Sequence, residues 1–213
     1  MKVIGLTGSI GMGKTTAANM LRDMGIPVHC SDQAVHDLIA PGGAAVAIVA
    51  ETFPDAYDRK SGGIDRKKLG AAVFGDNEKK EQLEAILHPM VQASQQKFLR
   101  EQQARGCKIA VLDIPLLYET GAEKRLDYVM VVSAPALVQK QRVMARPGMT
   151  EEKFNAILKN QIPDEEKKQR ADFVIPTGLG LAYTRAELQK VINKLRKGPS
   201  IKNESNRFPP HNR

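Results

Sequence analysis

Apolar positions along this chain alternate between two periods. Lys2-Val3-Ile4-Gly5-Leu6 is a nearly continuous apolar run, which predicts a buried parallel strand. Ala17, Met20, Leu21 and Met24 then fall on one helical face, and Gly25 supplies the stop. Ile26 to Cys30 reads as a second strand. Asp32 to Ile39 reads as a helix with Ser31 or Asp32 at its N-cap, halted by Pro41-Gly42-Gly43. The middle of the chain is mostly helical, with a loop at Gly62-Gly63. Asp65 caps a helix carrying Leu69, Val73 and Phe74. A second helix runs from about Asn77 to Leu87, and a third starts near Pro89 and continues to Arg105. Lys108 to Asp113, Tyr128 to Val132 and Phe173 to Ile175 are further strands. Helices are predicted from Ala136 to Arg146 and from Thr184 to Arg196, the latter opened by a Thr184/Glu187 capping box.

Strands separated by helices predict an α/β fold, a five-stranded parallel sheet flanked by helices, with ligands beyond the carboxyl ends of the strands. The insertion between the second and third strands and the charged Arg146–Arg170 segment are the expected mobile substrate and lid lobes. At 213 residues the chain suits one domain with a small appended lobe. It has no apolar run long enough for a membrane span, and its glycine-broken start is no signal peptide. Cys30 and Cys107 lack metal-ligand spacing and fit free thiols in a reducing cytoplasm, where the protein is expected.

The net charge of +8 raises a nucleic-acid reading, and its distribution weakens that reading. Arg196, Lys197, Lys202, Arg207 and Arg213 face only Glu204 in the last residues, so +4 of the +8 sits in a terminal segment rich in Pro, Asn and Ser. Residues 197–213 are expected to be a disordered basic tail. Aromatic residues are 5% with no Trp, too few for a base-stacking platform, so no nucleic-acid or membrane partner is expected.

One motif carries the chemistry. Gly8-Ser9-Ile10-Gly11-Met12-Gly13-Lys14-Thr15 matches the phosphate-binding pattern G-x-x-x-x-G-K-[ST], lying after a strand and opening a helix as it must. Glycines let successive N–H groups turn inward at phosphate oxygens. Lys14 would reach the terminal phosphates, the Thr15 hydroxyl would ligate Mg²⁺, and Met12 and Thr16 belong to the same nucleotide-binding run. The D-x-x-G and N-K-x-D elements of GTPases are absent: Asn193-Lys194-Leu195-Arg196 fails at its last position and lies too late. A small-molecule kinase is favoured.

From Ile4 to about Leu195 the chain resembles the dephospho-coenzyme A kinases. The resemblance rests on Ile4 to Gly11, on Val28 to His36, on Ile64-Asp65-Arg66, on Val73-Phe74-Gly75 and on Leu87-His88-Pro89. It extends to Pro115-Leu116-Leu117-Tyr118-Glu119, which is like the family's P-L-L-[FY]-E signature, and to lid-like stretches Gln139–Arg146 and Gln161–Ile175. Cys30-Ser31-Asp32 stands where the family commonly has D-A-D, so only the second acid remains. Thr177 stands where an Asn is common near the adenine. The resemblance implies transfer of the ATP γ-phosphoryl to the ribose 3′-hydroxyl of dephospho-CoA, with Mg²⁺, by a monomer. It implies a kinase domain over 1–196, with the phosphate loop at 8–15, an acceptor lobe at about 32–106 and a lid at about 146–170.

The resemblance also gives roles. Asp32 orients or accepts the proton of the acceptor hydroxyl, beside a plain alternative as helix N-cap. His36, one turn on, lines the acceptor site, as do Leu116 and Glu119. His88 does so too, with packing or capping an equal alternative. Asp113, at a strand end, is a substrate or outer magnesium contact, or else a solvated strand-end acid. Arg142 and Arg146, spaced i, i+4, present guanidinium forks to phosphate, Arg146 above all. Lys167 and Lys168 read as surface charges, and Arg170 as the member of that cluster that approaches ATP.

Overall fold

The structure is a computed structural model that describes residues 1–198. In chain order it runs β1 (Lys2–Thr7), α1 (Lys14–Asp23), β2 (Val28–Cys30), α2 (Ser31–Ile39), α3 (Val46–Thr52), β3 (Tyr57–Asp58), β4 (Gly63–Ile64), α4 (Arg66–Val73) and α5 (Asn77–Ala104). It continues with β5 (Ile109–Asp113), β6 (Tyr128–Ser133), α6 (Ala136–Met144), α7 (Glu151–Lys159), α8 (Asp164–Arg170), β7 (Phe173–Pro176) and α9 (Leu181–Lys197). The expected five-stranded parallel sheet is present, in the order β2-β5-β1-β6-β7. All six residues of β1 are buried, as a strand between two parallel neighbours requires.

The chain divides into two compact units, Met1–His29 with Glu101 onward, and Cys30–Arg100. In the first, alternate strand residues Ile4, Leu6, Val111, Met130, Val132 and Ile175 face one side and pack with Leu21 of α1 and Leu188 and Ile192 of α9. Each fully buried aliphatic chain contributes roughly 1.5–3 kcal/mol. On the other side Gly5 permits a close approach: a Cβ there would lie 2.4 Å from Leu117 Cδ1 and 2.3 Å from Leu126 Cδ1, and both side chains would have to shift. The Pro115–Glu119 segment after β5 thereby lies directly against β1. The second unit packs Ile39, Val49, Phe53, Ile64, Leu69 and Leu87 into its own core.

Four local expectations are corrected. The helices expected on either side of Pro89 are one 28-residue helix, α5. Interior proline costs about 3 kcal/mol, yet Leu83, Ile86, Leu87 and Met90 form one unbroken i, i+3, i+4, i+7 stripe packed into the core. Neither Ser31 nor Asp32 caps α2. The helix starts at Ser31 after Cys30, and the buried Ser31 hydroxyl instead accepts from Gln95 Nε2 at 3.0 Å. Thr184 is the fourth residue of α9, not its cap, and its hydroxyl bonds back to Pro176 O and Gly180 O, 3.0 Å from each. Around Gly62-Gly63 the chain forms the antiparallel hairpin β3–β4. The Asp65 cap is as expected, its carboxylate accepting from the amides of Lys67 and Lys68.

The basic tail lies outside the described residues from position 199 onward, but its expected start at Lys197 falls too early. Lys197 completes α9, and the buried Lys2 ammonium donates to Leu195 O at 2.6 Å and to Gly198 O at 2.7 Å. A cation at a helix C-terminus interacts favourably with the helix dipole and its unpaired carbonyls. Truncation after Gly198 is therefore expected to leave melting temperature and turnover unchanged while weakening polyanion binding. Truncation after Arg196 removes one acceptor of a buried cation and is expected to cost about 1–3 kcal/mol. Differential scanning calorimetry of both truncations beside a turnover assay checks this, and equal melts would show that Gly198 contributes nothing.

Candidate active site

The chain leaves β1 through Gly8, where a Cβ would meet Val132 O at 2.7 Å, so no other residue fits without backbone movement. Gly11 and Gly13 have φ of 79° and 89°, and their left-handed backbone lets the loop curl. The carbonyls between Ser9 and Gly13 all find donors: Ser9 O takes Met12 N, Ile10 O takes Gln139 Nε2 at 2.8 Å, Gly11 O faces Arg142 Nη1 at 3.5 Å, Met12 O takes the Thr177 hydroxyl at 2.7 Å, and Gly13 O takes Ala17 N. A trans peptide points its N–H opposite its C=O. Turning those carbonyls to the protein aims the Gly11, Gly13 and Lys14 amides the other way. Helix α1 begins at Lys14, so the amides of Lys14, Thr15 and Thr16 also have no acceptor within the helix. Thr15 and Thr16 are exposed. The result is a nest of donors at a helix N-terminus, an anion site.

The strand register positions the next group. Leu6 pairs with Asp113, which puts Asp113 at the carboxyl end of β5 beside the start of the loop. Its carboxylate is buried and forms a 2.6 Å ion pair with Lys14 Nζ. Asp113 is therefore not a solvated strand-end acid: it holds the lysine that the motif supplies for phosphate. Arg142 is also engaged, donating to Thr177 O at 2.6 Å and to its hydroxyl at 3.1 Å. Thr177, buried, braces the loop at Met12 and anchors Arg142. Arg146, past the end of α6, is exposed, and its guanidinium makes no hydrogen bond or ion pair with the described residues.

In the second unit Asp32 lies in the first turn of α2, exposed, its carboxylate making no hydrogen bond or ion pair among the described residues. His36 follows one turn later, 3.3 Å from Gln33 Nε2 and 3.6 Å from Asp37. His88 is exposed in the middle of α5, which leaves the capping alternative without a helix end to cap.

The Pro115–Glu119 segment differs most from expectation. Leu116 is half-buried, and its neighbour Leu117 is the fully buried residue against Gly5. Glu119 is not a free acceptor-pocket acid: Oε1 accepts from Ile162 N at 2.9 Å and lies 2.8 Å from Lys167 Nζ. Lys167, expected on the surface, is fully buried, and its ammonium sits off the line of a hydrogen bond, held by charge. Arg170 lies over the Tyr118 ring at 4.3 Å and pairs with Glu123 and Glu166, so its guanidinium serves α8 packing. Burial pushes the Tyr118 hydroxyl up to about 12, against the opposing Arg170 charge. Glu119→Ala strands a buried ammonium and is expected to cost about 3–5 kcal/mol. Each kcal/mol is about 2–4 °C in a chain this size, and the Glu119→Gln, Lys167→Met pair should recover most of the loss. Thermal melts of the single and double variants read this out, and a single variant as stable as the parent would show that the pair contributes nothing.

Sequence reasoning gave Gln139 and Gln161 no role of their own, and it missed the loop-bracing contact of Thr177 and the burial of Lys167. The signal available was position: Gln139 stands three residues before Arg142 on the same helical face, and it is buried.

A parallel sheet whose first strand enters a donor-lined loop, with a lysine and a strand-end carboxylate beside it, defines the phosphate-loop nucleotide-binding proteins. The sequence profile of the dephospho-CoA kinases matches residues 2–181. The chain belongs to the dephospho-CoA kinase family. The dephospho-CoA kinase of Mesorhizobium japonicum is 55% identical over 196 residues, covering 92% of this chain and 98% of that one. That of Brucella melitensis is 50% identical over 200 residues, covering 94% and 98%. Among solved structures, TT1252 from Thermus thermophilus superposes with a TM-score of 0.76 at 34% identity, covering 92% of this chain and 98% of that one. The dephospho-CoA kinase from Campylobacter jejuni superposes at 0.65 and 27% identity, with the same coverage.

Proposed function

We propose that this protein transfers the γ-phosphoryl group of ATP to the ribose 3′-hydroxyl of dephospho-CoA, giving CoA and ADP. The observation that carries the reading is the loop at Gly8–Thr16, with the Ser9–Gly13 carbonyls bound to the protein and the amides of Gly11, Gly13, Lys14, Thr15 and Thr16 left for an anion, in a chain of this family. The ATP phosphates lie in the amide nest, and Lys14, held 2.6 Å from Asp113, supplies the charge that neutralises the β- and γ-oxygens. The Asp32 carboxylate takes the proton of the 3′-hydroxyl as its oxygen bonds to the γ-phosphorus. The bond to the β–γ bridging oxygen breaks, and its electron pair leaves with ADP. Arg146 stabilises the charge spread over the transferring group. His36, His88 and Leu116 line the acceptor side.

Mg²⁺ fits the donor set: Thr15 presents an exposed hydroxyl in the first turn of α1, and no cluster of three acidic, histidine or cysteine side chains exists among the described residues. A magnesium ion bound mainly by phosphates and water needs no more protein ligands than that. When bound it neutralises phosphate charge. Most of the rate enhancement then comes from alignment and electrostatics supplied by the chain. No described helix is long and apolar enough to cross a membrane. We place the protein in the cytoplasm, acting as a monomer on small-molecule substrates.

An ADP-release assay across dephospho-CoA, adenosine, AMP and shikimate tests the reading. Turnover is expected with dephospho-CoA alone. Comparable turnover with shikimate or AMP would overturn the acceptor assignment and leave the phosphate site standing.

A further inference from the structure

We infer that Gln161 is a positioning residue for nucleotide binding, acting through the Ile10 amide, and that the three-residue strap it begins is pinned in place by Glu119 and Ser133. The inference rests on the reading that the Gly8–Thr16 loop holds ATP.

The strap is Gln161-Ile162-Pro163, between the end of α7 and the start of α8. Four contacts fix it together with the first turn of α8 that follows. Gln161 Oε1 accepts from Ile10 N at 3.1 Å, inside the phosphate loop. Ile162 N donates to Glu119 Oε1 at 2.9 Å. Asp164 Oδ2 accepts from the Ser133 hydroxyl at the end of β6, at 2.5 Å. Lys167, one turn into α8, is the buried partner of the same Glu119. Pro163 adds stiffness, since the residue before a proline is held extended. A segment far along the sequence is thus tied on one side to the loop and on the other to the segment after β5.

Ile10 matters because of what its peptide planes carry. In the plane shared by Ser9 and Ile10, the carbonyl faces Met12 N at 3.1 Å and the N–H faces Gln161. In the plane shared by Ile10 and Gly11, the carbonyl takes Gln139 Nε2, which aims the Gly11 amide the opposite way. All four planes from Ser9 to Gly13 have a donor at their carbonyls. Among the described residues only the first is also held at its N–H end by a side-chain acceptor, and Gln161 is that acceptor. Removing it leaves the Ser9–Ile10 plane fixed by the Ser9–Met12 bond alone. Preorganised amides bind anions without reorganisation, and a loop that must first settle binds less tightly.

The test compares the full-length protein with Gln161→Met, which keeps length and volume but offers no oxygen acceptor, and with Gln161→Ala. The losses expected are about 5- to 10-fold in ATP affinity, measured by titration calorimetry, and the same factor in kcat/KM for ATP. KM for dephospho-CoA should stay within about twofold, because the acceptor lies on other residues. Thermal melts of each variant are recorded beside these. A residue that only packs the strap would lower the melt and leave the ATP constants unmoved, which overturns the inference. An equal rise in both KM values would overturn it too. Parent protein that binds ATP but does not phosphorylate dephospho-CoA would sink the proposed acceptor instead, without touching this inference.

Discussion

Replacing Lys14 by Met is expected to abolish turnover and to lower the melting temperature, two effects with one cause each. The lysine charge stabilises the transferring phosphoryl, and losing one such preorganised group costs about 10²–10³ in kcat. The loop motif alone suggests a lysine that adds nothing to the fold. The structure makes it the counter-ion of a carboxylate whose side chain is 4% exposed. Removing one partner of a buried pair costs about 3–5 kcal/mol, which at 2–4 °C per kcal/mol is a visible shift in a melt. Adding Asp113→Asn removes the uncompensated charge, so the double variant should melt near the parent while remaining inactive. That separation is the measurement: calorimetry and an ADP-release assay on both variants. Turnover near the parental rate in Lys14→Met would sink the loop assignment. A double variant no more stable than the single one would show that the Lys14–Asp113 pair does not carry the fold cost.

The parts of this molecule legible in the sequence are those governed by local rules. The short apolar runs marked all five strands of the main sheet, because a strand covered on both faces is apolar over most of its length. The phosphate loop was legible because its function constrains the backbone itself: Gly11 and Gly13 sit at φ values that other residues adopt only with strain. Caps were read less well. Asp65 has no competing partner and caps α4, whereas Ser31 is drawn to Gln95 and Thr184 to carbonyls behind it. A side-chain oxygen next to a helix start takes whichever donor or acceptor the packed structure offers. Pairings between distant charges were not legible at all. Lys167 reads as one of several basic residues on a polar helix, and only the approach of Glu119, forty-eight positions earlier, makes burial tolerable. Gln161 looked generic for the same reason, since a glutamine becomes informative only once its partner is a loop amide.

For Asp32 the decisive variant is Asp32→Asn. An acid that takes the acceptor proton contributes about 10²–10⁴ to the rate, so kcat should fall by that factor. The exposed carboxylate makes no bond among the described residues, which leaves it available to an incoming hydroxyl. The helix-cap alternative, which would have made any substitution hard to interpret, does not apply: α2 starts at Ser31 and Asp32 caps nothing. What remains on the stability side is an acid near a helix N-terminus, worth about 0.3–1 kcal/mol and screened by salt. Asn gives up that small term, so the melt should drop by no more than about 1–4 °C. ATP affinity should be unchanged, because the loop amides, Lys14 and Thr15 are untouched. Steady-state kinetics with dephospho-CoA, ATP titration calorimetry and a melt on the same preparation read all three. A parental kcat in a folded Asn variant would remove Asp32 from the mechanism. The base would then have to be sought at Asp113, which pairs with Lys14 at 2.6 Å, and kcat of Asp113→Asn would become the deciding measurement.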